Sequence, residues 1–358
     1  MAGPAKLNDE EGHPMNAVAC GPSILLALVA SLAIAADPDP SPTALRDQAK
    51  GLFGVVAPAG ADEIRAPAAV LGRALFWDRR LSLDGKTACA SCHAREDHSA
   101  DRRRFSINAK GQPTTLHSEP IFMAQDQVAL RWYGDRRDGA HQAERSITGS
   151  MGFADANDIV PLLKSLDYEA AFRAAYPTQP EPITTANYAR ALQTYQRTLR
   201  TPARFDAFLR GDDNSMSRQE LAGLQTFITV GCAGCYNGAL LGGTSIQKFG
   251  VVRDYWLATG SSSVDPGRFN ATKQEADRYV YRVPMLRNVA KTAPYFHDGS
   301  VDRLEEAVRI MSEVQLGRAL AAGEVADLTA FLTALTGDVP EHYAPPHDRG
   351  GSGSEGRP

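Results

Sequence analysis

Apolar residues recur at helical spacing in several stretches of this chain and almost nowhere alternate as they do in half-buried strands. In Pro67–Trp77, Ala68, Leu71, Ala74 and Leu75 fall on one face, and Pro67 sits where a first helical turn tolerates it. Residues 43–53, 159–166, 168–175 and 186–199 read as helix as well. A second set follows at 217–230, 304–311 and 324–335. In the first of these, Leu221, Leu224, Phe227 and Ile228 make the stripe, Ser217 can cap it, and Glu220 completes a capping box. Val325, Leu328, Phe331, Leu332 and Leu335 give the last helix its core face. Residues 81–138 are rich in Arg, Asp, Gly and Ser without a period and read as loops, as do 238–267. The pattern predicts a mainly α protein with long loops and little β.

The helices fall into two units with one plan: helix, Cys-x-x-Cys, long loop, more helix. That plan suggests a duplicated cofactor domain, although no long sequence repeat accompanies it. The expected limits are 37–202 for the first unit and 203–343 for the second, divided after Thr201-Pro202. Residues 344–358, with Gly-Gly-Ser-Gly-Ser, read as a flexible tail. Residues 1–36 differ in kind. The run ILLALVASLAIA at 24–35 is shorter than the about 20 apolar residues of a membrane span. It ends in Ala33-Ile34-Ala35-Ala36, the pattern of a secretory signal, with an uncleaved anchor as the alternative. Export from a bacterial cell, to the periplasm, is the expectation. The length of 358 residues allows about two domains. A net charge of -4 with no basic stripe speaks against nucleic-acid binding.

The chain has five cysteines, and Cys20 lies in the expected signal. The others form two pairs, Cys89/Cys92 and Cys232/Cys235, with none left over. Cys89-Ala90-Ser91-Cys92-His93 has the attachment pattern of c-type haem: two thiols spaced to add to the two vinyl groups, and a histidine placed to ligate the iron. A thioredoxin-like pair would need a strand before it and a helix after it. A zinc site would need two further ligands nearby. Neither is present in the pattern. Cys232-Ala233-Gly234-Cys235-Tyr236 repeats the spacing with tyrosine for histidine. Read alone it is also compatible with a structural disulfide. Three outcomes stand open for it: haem ligated by the Tyr236 phenolate, haem ligated by another residue, and no haem.

Further segments carry a family resemblance. Leu71-Gly72-Arg73-Ala74-Leu75-Phe76, the run from Tyr281 through Pro284, Arg287 and Val289, Ala293-Pro294-Tyr295-Phe296-His297-Asp298-Gly299 and Leu304-Glu305-Glu306-Ala307-Val308 are similar to dihaem cytochrome c peroxidases and the related methylamine-dehydrogenase maturation enzymes. So is Gln315-Leu316-Gly317. The resemblance spans nearly the whole chain beyond the signal. It implies two cytochrome c-like haem domains, the N-terminal one peroxidatic and the C-terminal one storing an electron.

By the same resemblance, Met311 is the distal ligand of the second iron, where helical spacing alone favours a core methionine. Trp132 is an electron relay between the haems, where packing is the plainer role. Gln142 matches a distal-pocket glutamine, and Thr292 and Pro294 match residues that lend backbone oxygens to a calcium ion. The chain also departs from its family. Lys110 stands in the stretch where a distal histidine is common, which implies an open first iron. Ser150 is the nearest match to a distal glutamate, with Glu144 close by. His117 replaces a calcium-associated asparagine, and His98 and His117 are candidate stand-in ligands. The expected activity is reduction of hydrogen peroxide with electrons from a small cytochrome c or cupredoxin, weakened by the lost glutamate and by Tyr236, in a possible homodimer. The alternatives are an oxidase acting on a protein partner and a plain electron carrier.

Overall fold

A computed structural model describes residues 41–346, and these lie within one compact unit. The expected signal at 1–36 and residues 347–358 lie outside the described residues. The architecture is mainly α, as the periodicity predicts. The described β structure is one two-stranded antiparallel sheet, Ile246–Lys248 against Val280–Arg282, with Ile246 opposite Arg282. No helix among the described residues is long and apolar enough to cross a membrane.

Each half of the molecule is built on one helix crossing. Pro67–Trp77 packs on Thr185–Arg197, and Arg218–Thr229 packs on Ala322–Ala334. A glycine sits at each crossing. A Cβ on Gly72 would lie 1.9 Å from the Ala191 carbonyl oxygen, and one on Gly223 would lie 1.9 Å from that of Asp327. Backbone meets backbone there, so no side chain can yield, and only glycine permits the approach. The sequence places the start of the second pair well: Ser217 Oγ accepts from the Glu220 amide at 3.3 Å, and Glu220 Oε2 accepts from the Ser217 amide at 2.7 Å.

Two hydrophobic clusters result. Leu71, Phe76, Ile147, Phe172 and Leu192 are among the buried residues of the first, and Phe205, Phe208, Phe227 and Phe331 of the second. The chain ends cross over between them. Helix Pro42–Leu52 puts Leu45 and Ala49 into the second cluster, followed by Phe53, whose ring lies 5.8 Å from Phe205. Tyr343, fully buried, joins the first cluster edge-on to Phe122 and Trp77. The residues expected to begin a flexible tail are held: Arg73 Nε donates to the Ala344 carbonyl at 2.8 Å and its Nη2 to that of Pro345 at 3.0 Å.

Several helices escape the sequence reading. Gly139–Thr148 and Arg204–Arg210 are helical, as are the short Ala61–Arg65 and Tyr255–Thr259. Gly139–Thr148 offers only Ala140, Ala143 and Ile147 as apolar positions, too small a stripe to register as a period. It is fixed by its cap instead: Asp138 Oδ1 accepts from the His141 amide at 2.8 Å.

Asp206 and Arg287 form an ion pair with both side chains wholly buried, at 2.6 Å and 3.0 Å. Both carboxylate oxygens and all three guanidinium nitrogens are hydrogen-bonded. Asp206 accepts from the amides of Val56 and Ala203, each at 2.7 Å, and Arg287 donates to the carbonyls of Ala239 and Gly54. The aspartate opposes the effect of burial, which by itself pushes the Arg287 guanidinium down. Removing one partner strands a buried charge, so Asp206→Leu should lower unfolding stability by about 3–5 kcal/mol in a urea titration. Gly223→Ala should lower it by about 1–3 kcal/mol through overpacking, despite alanine's better helix propensity.

Candidate active site

Cys89–Ser91 forms a single tight turn whose first carbonyl gathers the motif: the amides of Cys92 and His93 both donate to the Cys89 oxygen, at 3.2 Å and 3.1 Å. The chain then loops so that Ser99, at a left-handed φ of 64°, brings its carbonyl 3.0 Å from His93 Nδ1. Ser99 is itself anchored, its Oγ accepting from the amides of Ile121 and Phe122 at 3.0 Å and 3.1 Å. A carbonyl can only accept, so Nδ1 carries the proton and Nε2 keeps its lone pair for a metal. Burial lowers the His93 pKa, which favours that neutral form. Burial also pushes the Cys89 thiol up to about 12 and raises that of Cys92. Both are free.

Cys89, Cys92 and His93 line a cavity of about 530 Å³. Gln142, from the capped Gly139–Thr148 helix, lines it too, and its Oε1 is buried with no hydrogen-bond partner. Ser150 and the exposed Lys110 reach the same cavity. Glu144 is exposed and does not line it. The one carboxylate in its lining is Glu119, which is ion-paired with Arg282. His98 lines neither this cavity nor the second one; it stands edge-on to Phe122.

At the second motif the backbone repeats the first. Cys232–Gly234 makes the same turn, and the amides of Cys235 and Tyr236 donate to the Cys232 oxygen at 3.3 Å and 3.0 Å. Tyr236 therefore holds the backbone position that His93 holds. Burial, with lesser help from the two neighbouring thiols, raises the pKa of its phenol. Cys232, Cys235, Tyr236 and Met311 line a second cavity of about 220 Å³. Met311, the last residue of Leu304–Met311, thus borders the cavity rather than serving only as core filling.

His117, Glu119, Pro120, Gln127, Trp132 and Arg282 line both cavities and so form a common wall. Its parts are tied together. Trp132 Nε1 donates to the His117 carbonyl at 2.9 Å, and the Arg282 amide donates to the Trp132 carbonyl at 2.8 Å. Arg282, 1 % exposed, spends its guanidinium on Glu119, Gln127 and the Arg131 carbonyl. The His117 amide donates to the His297 carbonyl at 2.8 Å, while its Nε2 is buried without a partner. Sequence reasoning names Trp132 and His117 but misses Glu119, Gln127 and Arg282. Arg282 lies within a recognised segment, yet nothing in the pattern pairs it with a glutamate 163 residues away.

Thr292 and Pro294 line the second cavity near this wall, but the described residues hold no group of three or more His, Cys, Asp or Glu able to bind a metal. The first cavity is different. Two thiols and a histidine whose Nδ1 is committed to Ser99, converging on one cavity, define a c-type haem protein. The chain belongs to the di-haem cytochrome c peroxidase family, whose sequence profile matches residues 66–214. It is 38% identical over 326 residues to the cytochrome c551 peroxidase of Pseudomonas aeruginosa, covering 89% of this chain and 94% of that one. The cytochrome c551 peroxidase of Nitrosomonas europaea is 35% identical over 283 residues, covering 78% and 83%. Among solved structures, a MauG-like protein associated with microbial copper homeostasis superposes with a TM-score of 0.66 at 26% identity, over 82% of this chain and 97% of that one.

The C-terminal segment helps to position the first site. Tyr343 donates its hydroxyl to the His93 carbonyl, and Arg95 Nη1 holds the segment by the carbonyls of Tyr343 and Pro340. Tyr343→Phe leaves a carbonyl unpaired in a dry environment. It should reduce stability by about 1–3 kcal/mol, measured by chemical denaturation with haem absorbance as the probe.

Proposed function

We propose that this protein reduces hydrogen peroxide to water at the cavity headed by His93, using electrons from a small cytochrome c or cupredoxin. The observation that carries the reading is that His93, its Nδ1 committed to Ser99, shares one cavity with the unpartnered Oε1 of Gln142. Haem bound there supplies the redox chemistry, by which one peroxide takes up two electrons and two protons to give two waters.

The chain's own groups supply orientation and polarity. Ser99 fixes the His93 ring, and the amide of Gln142 can both donate to and accept from a small peroxide held in the cavity. Gln142 does not ionise, so it positions a proton without storing one. Glu119, bound to Arg282, is poorly placed to cycle as an acid. A positioned acid–base group typically contributes about 10²–10⁴-fold, so turnover is expected to be slow by that scale relative to a site with a free carboxylate. Trp132, in the wall common to both cavities, is the natural relay for the second electron.

In the second cavity the repeated turn and the free thiols fit a second attached haem, with Tyr236 and Met311 as its ligand candidates. A phenolate would stabilise ferric iron relative to imidazole and lower the potential of that centre. For a calcium ion, which takes oxygen ligands, the candidates are the backbone oxygens of Thr292 and Pro294 beside the second cavity, where His117 offers only nitrogen. The reading places the protein in the periplasm, on the strength of the apolar run at 24–35 and of haem attachment through thiols.

Two measurements test this. The intact mass of the exported protein should show two haems; a single haem would remove Tyr236 and Met311 from the iron and end the two-centre scheme. Peroxide consumption with a reduced cytochrome donor should be measurable in the native protein. Gln142→Leu should lower kcat/KM for peroxide by about tenfold, the worth of one well-placed hydrogen bond. A plain electron carrier would show no peroxide consumption at all.

A further inference from the structure

The mechanism above uses Trp132 only as a bridge between cavities. Trp132 also begins a chain of aromatic rings that follows the edge of the second cavity through His297 and Tyr281 and then leaves it. Its ring lies 6.4 Å from that of His297, which lies 4.6 Å from Tyr281. Tyr281 stands perpendicular to Tyr255 at 6.2 Å, with the two hydroxyls 3.2 Å apart. Tyr255, fully buried, lies 5.2 Å from Trp256, which lies 4.9 Å from Tyr279. Trp256 and Tyr279 are partly exposed.

Simple packing would be served by phenylalanine and leucine. Here the phenols converge instead on one carboxylate residue. Tyr133 donates to Asp265 Oδ2 at 2.6 Å, Tyr281 donates to the Asp265 carbonyl at 2.9 Å with Oδ1 of the same residue at 3.3 Å, and Tyr255 donates to the Asp265 carbonyl at 2.9 Å. A tyrosine gives up an electron readily only when its proton has somewhere to go. Asp265 beside Tyr281 offers that place and can return the proton when the ring is reduced again.

We propose that this aromatic cluster is a branch route that draws oxidising equivalents from the Trp132 wall to Trp256 and Tyr279 at the surface when peroxide arrives without an electron donor. The inference rests on the peroxidase reading of the His93 cavity. Each equivalent corresponds to one electron passing inward from the surface ring. That ring loses the proton of its indole N–H or phenol O–H to solvent. Two electrons taken from Trp256 leave it open to attack by water, which adds one oxygen to the ring and releases two protons in all. Those two electrons and two protons convert one hydrogen peroxide to two waters. The net change is one peroxide consumed per hydroxylated ring, with the added oxygen derived from solvent.

The origin of that oxygen makes the test. The haem-loaded protein is treated anaerobically with ordinary hydrogen peroxide, without donor, in water enriched in heavy oxygen, and its peptides are analysed by mass spectrometry. Solvent-derived oxygen should concentrate at Trp256 and Tyr279 over the partly exposed Tyr176, which lies off the route. In Tyr255→Phe, which keeps the ring but not the oxidisable phenol, the labelling should fall by about tenfold or more. Peroxide reduction in the presence of donor should stay unchanged in that variant, which also shows that it folds and holds haem. Trp256→Phe should leave label at Tyr279, because the Tyr279 ring also lies 6.3 Å from Tyr255 directly. Label at Tyr176 equal to that at Trp256, oxygen derived from peroxide rather than water, or undiminished labelling in Tyr255→Phe would each overturn the route while leaving the catalytic reading intact. Absence of peroxide reduction with donor present would overturn both.

Discussion

The fully buried pair of Asp206 and Arg287 fixes the frame on which the second cavity hangs. Two charges removed from water are tolerated only when geometry and surrounding hydrogen bonds compensate for the lost hydration, and here both carboxylate oxygens and all three guanidinium nitrogens are hydrogen-bonded. The partners come from distant parts of the chain: Gly54 and Val56 near its described start, Ala203 at the junction of the two expected units, and Ala239 beyond the second cysteine pair. Met285, Leu286 and Val289, all lining the second cavity, flank Arg287 directly in sequence. A single interaction thus sets the registry of four segments, and the cavity takes its floor from one of them.

Above that frame, the wall between the cavities concentrates the polar chemistry. It is made of loop residues and of the strand residue Arg282, and it is tied by backbone carbonyls and by that one buried arginine. That suits the electron transfer proposed across it: rigid dipoles reorganise little, and Trp132 is held by hydrogen bonds at both its side chain and its carbonyl. The unpartnered Nε2 of His117 in the same wall is the one feature of this partition left electrostatically incomplete by the protein alone.

Much of this was legible in the sequence. Helices with a broad apolar stripe, such as Pro67–Trp77 and Arg218–Thr229, lie where their period places them. The cysteine motifs gave the chemistry because attachment of haem needs that spacing. What escaped follows from the same physics. Gly139–Thr148 packs through small residues and so carries a faint period, although it delivers Gln142. The long loop at 81–138 has no period to read, and its structure comes from contacts such as Ser99 with His93 and Glu119 with Arg282. Met311 shows the limit from the other side: its spacing suits a core position, the family resemblance puts it at the second iron, and the structure has it bordering the second cavity.

The exchange of chain ends between the two clusters has a bearing on how such a molecule can arise and change. Helix Pro42–Leu52 belongs to the second cluster and Tyr343 to the first. Cutting the gene at the Thr201-Pro202 junction would therefore not yield two free-standing haem proteins. The first piece would lose the tyrosine that seats on His93, and the second would lose the helix that covers Phe205. If duplication built the pair, later interlocking made it indivisible. Recombination can now trade the molecule only whole, and the two cavities are inherited together.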